Sequence, residues 1–183
     1  MDNGAGSYRR FLDGEESAFD EIMQTHFHSL VFFINRYVQD VQAAEDLAID
    51  TLSDLLVHRR RYNFKVSLKT YLFMIGRSRA LDYIKRKKVV EFVSLTAAEL
   101  LPDTGMTLEE TLLSDQRKQA VNNAIAKLPS DMQAVVHLIY FEELSYEDAA
   151  KVLKKNRKQV DNLLYRAKKE LRIILGKDGE QFL

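Results

Sequence analysis

Read for its hydrophobic positions alone, the chain is a series of 3.6-residue periods interrupted by turn residues. From about Glu15 to Val38, the positions Phe19, Ile22, Met23, Phe27, Leu30, Val31, Ile34 and Val38 fall on one stripe of a helix. The residues before Gly14 show no such run and read as a mobile start. Asp40 can cap a second helix over about 41–58, whose stripe is Val41, Ala44, Leu47, Ala48, Leu52 and Leu55. The period then stops. It resumes behind Ser67, a further candidate cap, and runs to about Lys87 with Leu68, Tyr71, Leu72, Ile75 and Leu81 inward.

Residues 89–115 break the pattern again, with a turn at Pro102-Asp103-Thr104-Gly105, and read as a linker. Helical periodicity returns around Leu108 and continues through Val121, Ala124, Ile125 and Leu128 until Pro129. Ser130 and Gln133 offer a capping box for a helix carrying Val135, Val136, Leu138, Ile139 and Phe141. Ser145 with Asp148, then Asn156 with Gln159, mark two more helix starts separated only by Lys154 and Lys155. The last helix buries Val160, Leu163, Leu164, Ala167 and Leu171, and shows Lys158, Asp161, Asn162, Tyr165, Lys169 and Arg172 on its other face. A short helix, a tight turn and a longer helix with a polar, basic face is the layout of a helix-turn-helix. The fold class expected is all-α, two small helical domains joined by a flexible acidic linker, the second a four-helix bundle.

Composition sharpens this picture. Seven Gly and two Pro among 183 residues favour helices, and the absence of Cys excludes disulfides and thiolate metal sites. No apolar run is long enough for a membrane span, and Met1-Asp2-Asn3-Gly4 begins no signal peptide. A soluble, cytoplasmic protein with no membrane insertion is therefore expected. The net charge of zero conceals strong segregation. Residues 1–57 hold 3 Lys/Arg and 11 Asp/Glu, residues 58–88 hold 11 Lys/Arg and one acid, residues 89–116 hold 6 acids and no base, and residues 149–177 hold 10 bases and 2 acids. Two separated basic blocks are the footprint of phosphate contacts at two places.

The candidate chemistry follows these blocks. Arg59, Arg60, Arg61, Tyr62, Asn63, Phe64 and Lys65 interleave cations with aromatics, which suits unstacked or single-stranded nucleic acid. One of Tyr62 and Phe64 is expected to close a helix corner instead. Arg77, Arg79, Lys85 and Arg86 extend the basic surface along the third helix. In the helix-turn-helix, Arg157, Lys158, Gln159 and Asn162 lie at the start of the reading helix, with Tyr165, Arg166 and Lys169 nearer the phosphates. Asp46, Asp50 and Asp54 form an acidic ridge, either a solvated face or a dock for a basic partner. His26 and His28 are spaced i, i+2, which points them apart on a helix, so no metal site is expected. No catalytic triad, carboxylate pair or phosphate loop is present, and neither enzymatic activity nor a cofactor is expected.

In order and spacing, three stretches resemble the extracytoplasmic-function sigma factors of the sigma-70 superfamily. Residues 44–52 resemble that family's polymerase-binding helix, residues 67–87 its promoter-melting helix, and residues 124–129, 144–150 and 160–171 its domain for the upstream promoter element. The resemblance implies an N-terminal sigma domain over 1–88, a linker over 89–115, a C-terminal sigma domain over 116–177 and a tail over 178–183. It implies core RNA polymerase and promoter DNA as partners, together with an anti-sigma factor. Asp46, Leu47, Ile49, Asp50 and Asp54 would face polymerase, and the 59–65 loop would capture a base flipped from the non-template strand. The linker would pass through polymerase near its active-site and RNA-exit path. Ile49 and Leu52 stand where the family usually carries Gln and an aromatic residue. A helix-turn-helix regulator that never serves as a sigma subunit is the alternative; it has no need of the upstream basic block.

Overall fold

The computed structural model describes residues 4–94 and 116–176, and every regular element among them is helical. They fall into two compact units that divide within the expected linker.

The first unit begins with a helix where a mobile start was expected. α1 (Ala5–Leu12) buries Tyr8 and Phe11 at 0% and 2% exposure. It starts from Gly4 at φ +74, where an added Cβ would meet His26 Nε2 at 3.0 Å and Leu68 Cδ2 at 3.1 Å. α2 (Ser17–Val38) ends where Gln39 takes φ +53, and one residue later Asp40 Oδ1 accepts from the Ala43 N–H at 3.0 Å, starting α3 (Val41–Val57). α4 (Leu68–Ser94) is capped by Ser67, whose Oγ accepts from the Thr70 N–H at 3.0 Å. This helix runs through 89–94, so the linker cannot begin at 89 as expected. The rest of the linker, the periodicity from Leu108 to 115 and the 178–183 tail lie outside the described residues.

α2 packs against α1, α3 and α4. Phe33 of α2 and Phe73 of α4 meet edge-to-face at 4.9 Å with planes at 81°, amid fully buried Leu30, Ile34, Leu52, Leu55, Leu68 and Leu72. Gly76 lets α4 approach closely, because a Cβ there would lie 3.3 Å from Ile34 Cδ1. Each such buried side chain contributes about 1.5–3 kcal/mol from apolar burial.

The second unit contains α5 (Gln116–Ala126), α6 (Ser130–Val136), α7 (Tyr146–Leu153) and α8 (Arg157–Leu175). The Ser130/Gln133 capping box does not form. Pro129 occupies the cap, and Gln133 turns inward to donate to the carbonyls of Leu128 (2.7 Å) and Ala126 (3.1 Å), which α5 leaves unpaired at its end. The helix through Phe141 forms but changes type in its last turns: His137–Phe141 widen into a π-helical turn, closed by Glu142 N–H to His137 O at 3.0 Å. His137 Nε2 and Glu142 Oε1 face one another at 3.3 Å, both buried. α5, α6 and α7 pack on α8 through Val160, Leu164, Ala167 and Leu171.

Candidate nucleic-acid interface

The helix-turn-helix is set by its caps. Ser145 Oγ accepts from the Asp148 N–H at 3.1 Å and donates to the Asp148 carboxylate at 3.0 Å. Asn156 and Gln159 complete a reciprocal box at 2.8 Å each way. Between them Lys154 takes the left-handed conformation at φ +52, and the Lys155 N–H reaches Ala150 O at 2.9 Å, the bond that closes α7. The strained position of the turn is thus Lys154.

Arg157, Lys158, Asp161, Asn162, Tyr165, Arg166 and Lys169 are all exposed on α8, with Tyr165 at 70%. Tyr146, Arg157, Lys158 and Asp161 line one recess at the start of the reading helix. Arg157 is held by Glu147 at 2.8 Å across the exposed surface. The Gln159 carboxamide oxygen is engaged in the cap, leaving only its amide NH2 outward. The Lys168 ammonium lies over the Tyr140 ring at 5.4 Å.

In the first unit the 59–65 loop is less open than its composition suggests. Tyr62 is 3% exposed, its hydroxyl donates to Val66 O at 2.6 Å, and its ring packs on Tyr8 (5.4 Å) and Tyr71 (5.0 Å). It closes the helix corner and is withdrawn from any stacking surface. Phe64 remains at the surface, 36% exposed, with φ +60, a left-handed conformation that costs a bulky residue about 1–3 kcal/mol. Asn63 Oδ1 accepts from the Lys65 N–H at 3.2 Å and tightens the bend. Arg59, Arg60 and Lys65 are exposed.

The residues that hold this loop came from the segment without periodicity. The Tyr8 hydroxyl donates to Arg59 O at 2.8 Å. Arg59 in turn lies over the Phe11 ring at 4.6 Å, and Arg9 over the Phe64 ring at 5.0 Å. Burial pushes the Tyr8 phenol up to about 12, and also raises Tyr62 and Tyr71. The signal was the Tyr8-Phe11-Leu12 spacing of one helical turn behind Gly4.

The acidic ridge divides. Asp46, Ile49 and Asp50 are exposed and Leu47 is half-buried, whereas Leu52 is core at 0%. Asp54 turns to its own unit, facing His58 Nδ1 at 3.1 Å, Arg61 at 3.3 Å and Arg79 at 3.5 Å. Arg61 and Arg79, two of the candidate phosphate contacts, are therefore already paired. Arg77 Nε donates to the Tyr37 hydroxyl at 3.3 Å, while Lys85 and Arg86 are exposed. No described helix is long and apolar enough to cross a membrane.

Comparison with known families accounts for both units. Residues 22–89 match Sigma-70 region 2, and residues 118–171 match Sigma-70, region 4. The chain belongs to the extracytoplasmic-function branch of the sigma-70 family. Sigma-70 region 2 spans most of α2 through α4, and region 4 spans the four-helix unit with its helix-turn-helix. The RNA polymerase sigma factor YlaC of Bacillus subtilis is 26% identical over 165 residues, covering 90% of this chain and 95% of that protein. The ECF RNA polymerase sigma factor SigM of the same organism is 23% identical over 159 residues, 86% of this chain and 95% of that one. In fold, the chain is similar to the sigma factor RpoE solved in complex with the anti-sigma factor NepR from Bartonella quintana, with a TM-score of 0.68 at 23% identity, over 87% of this chain and 98% of that one. It is also similar to CnrH in complex with the cytosolic domain of CnrY, with a TM-score of 0.61 at 18% identity over 94% of each.

Proposed function

We propose that the protein is an alternative sigma factor: it binds core RNA polymerase, directs it to a subset of promoters and helps to open them, in the cytoplasm and without catalysis of its own. The observation that carries this reading is the presence, in order along one chain, of regions 2 and 4, each bearing its own basic surface. A regulator that uses only a helix-turn-helix has no use for the first of these. Region 4 meets the upstream element through the start of α8. Region 2 meets the downstream element through Arg59, Arg60, Phe64 and Lys65, and duplex phosphates through Lys85 and Arg86. The exposed acids Asp46 and Asp50, with Ile49 between them, form the polymerase-facing part of α3. An anti-sigma protein silences the factor by covering these same faces.

In-vitro transcription with purified core polymerase and a promoter library tests the reading. Transcripts that depend on the added protein and share two spaced sequence elements are expected. Absence of any such transcript from a folded protein overturns the sigma assignment.

A further inference from the structure

α1 lies outside the residues matched to region 2, yet three of its side chains engage the loop that reads nucleic acid. Tyr8 is fully buried and donates to the Arg59 carbonyl at 2.8 Å, at the point where the loop leaves the turn after α3. Phe11 supports the Arg59 guanidinium from below at 4.6 Å. Arg9, exposed, stacks on the outward ring of Phe64 at 5.0 Å, while Tyr62 backs that ring at 4.7 Å. Phe64 is therefore held from both sides in a backbone conformation that it would not adopt freely.

We infer that α1 is part of the downstream-element site: Tyr8 is a positioning residue that fixes the 59–66 loop, and Arg9 is a contact residue that presents a planar cation beside Phe64 to an unpaired base and its phosphate. The chemistry suits such a ligand. The Arg9 guanidinium, with one face on the Phe64 ring, offers its other face as a stacking surface for a base, and the cation also attracts the phosphate that accompanies it. A flexible loop would lose entropy on binding the strand, whereas a loop already latched loses little. The promoter half of this inference rests on the sigma reading; the latch itself does not.

Two measurements on the full chain separate these parts. Hydrogen exchange of Tyr8→Phe, which keeps the ring and removes the hydroxyl, should show exchange across 59–66 faster by about tenfold, the worth of one net hydrogen bond, with α2 unchanged. Unchanged exchange in the loop overturns the positioning role. Holoenzymes made with the wild type, Tyr8→Phe, Arg9→Ala and Arg9→Lys are then run on a library randomised at both promoter elements. Preference at the downstream element should weaken by about tenfold in Tyr8→Phe and Arg9→Ala, with the upstream preference intact. Arg9→Lys should restore overall output but not base preference, because it keeps the charge and loses the plane. Equal loss at both elements, or none, overturns the contact role. No transcript from the wild type overturns the sigma reading and the promoter half with it, while loop exchange still decides the latch.

Discussion

Arg79 of α4 reaches across to α3 and places its guanidinium 3.5 Å from the Asp54 carboxylate, which is 11% exposed. Arg61 and His58 approach the same carboxylate at 3.3 Å and 3.1 Å. Asp54 thus neutralises cations that a charge count assigns to DNA, and ties the loop's first turn to two helices. Exposed pairs are worth at most about 1 kcal/mol, but a shared and largely buried acceptor makes its loss costlier. Asp54→Ala should lower stability by about 1–2 kcal/mol in urea denaturation. A double-mutant cycle with Arg79→Ala should give a coupling near 0.5–1 kcal/mol. Additive losses would show that the contact carries no energy.

Tyr8 imposes a pH dependence with a definite sign. Its phenol titrates at about 12 in the folded protein against 10 in an unfolded chain, chiefly because burial disfavours the phenolate. The unfolded state therefore releases its proton first as pH rises. The stabilisation is complete below pH 10 and is lost between 10 and about 12, of order 2–3 kcal/mol in all. Neighbouring Tyr62 and Tyr71, also raised by burial, act in the same direction, and Arg59 opposes. Urea midpoints measured from pH 8 to 11.5 should fall steeply above 10. Tyr8→Phe should be less stable at pH 8 yet show a shallower decline; an identical slope would place the titration elsewhere.

What the sequence made legible was whatever repeats. The stripes of α2, α3 and α8 and the caps at Asp40, Ser67, Ser145 and Asn156 depend on local spacing and recur in the structure. The α4 stripe recurs only in part: Leu68 and Leu72 are core, but Tyr71, Ile75 and Leu81 are half-buried and Phe73 and Ala80 take their place. α1 was not legible, because eight residues allow only two turns and the contacts that hold it include a carbonyl 47 residues away and rings 54 and 56 residues away. Gln133 misled for the opposite reason: its local pattern fits a cap, but its amide NH2 donates to two carbonyls at the end of α5 and the side chain turns inward to reach them. In the candidate site, residue type located the basic loop and the reading helix, but not which members were already taken. Tyr62 went to the core and Arg79 to Asp54 through contacts between helices, which no single-helix period encodes.

The Asn156/Gln159 box should matter for both folding and reading, since it fixes where α8 begins and hence which side chains lie at its start. Asn156→Ala should cost about 1 kcal/mol, up to about 2, measured as a lowered unfolding midpoint. Asn156→Asp keeps the acceptor and should retain most of the stability. At temperatures where Asn156→Ala is still folded, weaker binding to upstream-element DNA is expected from the shifted helix start. Equal stability of Asn156→Ala and wild type would mean that packing of Val160 and Leu164 alone sets the helix.

Lys158 and Lys169 sit at different heights on α8 and should fail differently. Lys158 lies in the recess with Tyr146, Arg157 and Asp161, at the end of α8 that enters the groove on the function proposed above. Lys169 is exposed three turns further on, a height at which the same proposal puts the helix clear of the base edges. Lys158→Ala should relax discrimination among upstream-element variants by about 1–3 kcal/mol at one base pair. Lys169→Ala should weaken binding to all variants alike and reduce the slope of log affinity against log salt by about one. Titrations of holoenzyme on a panel of single-base promoter variants at several salt concentrations distinguish the two. A uniform loss for both substitutions, with the same change in slope, would mean that Lys158 contacts only phosphate and that sequence is read by its neighbours, Asp161 and Asn162 foremost.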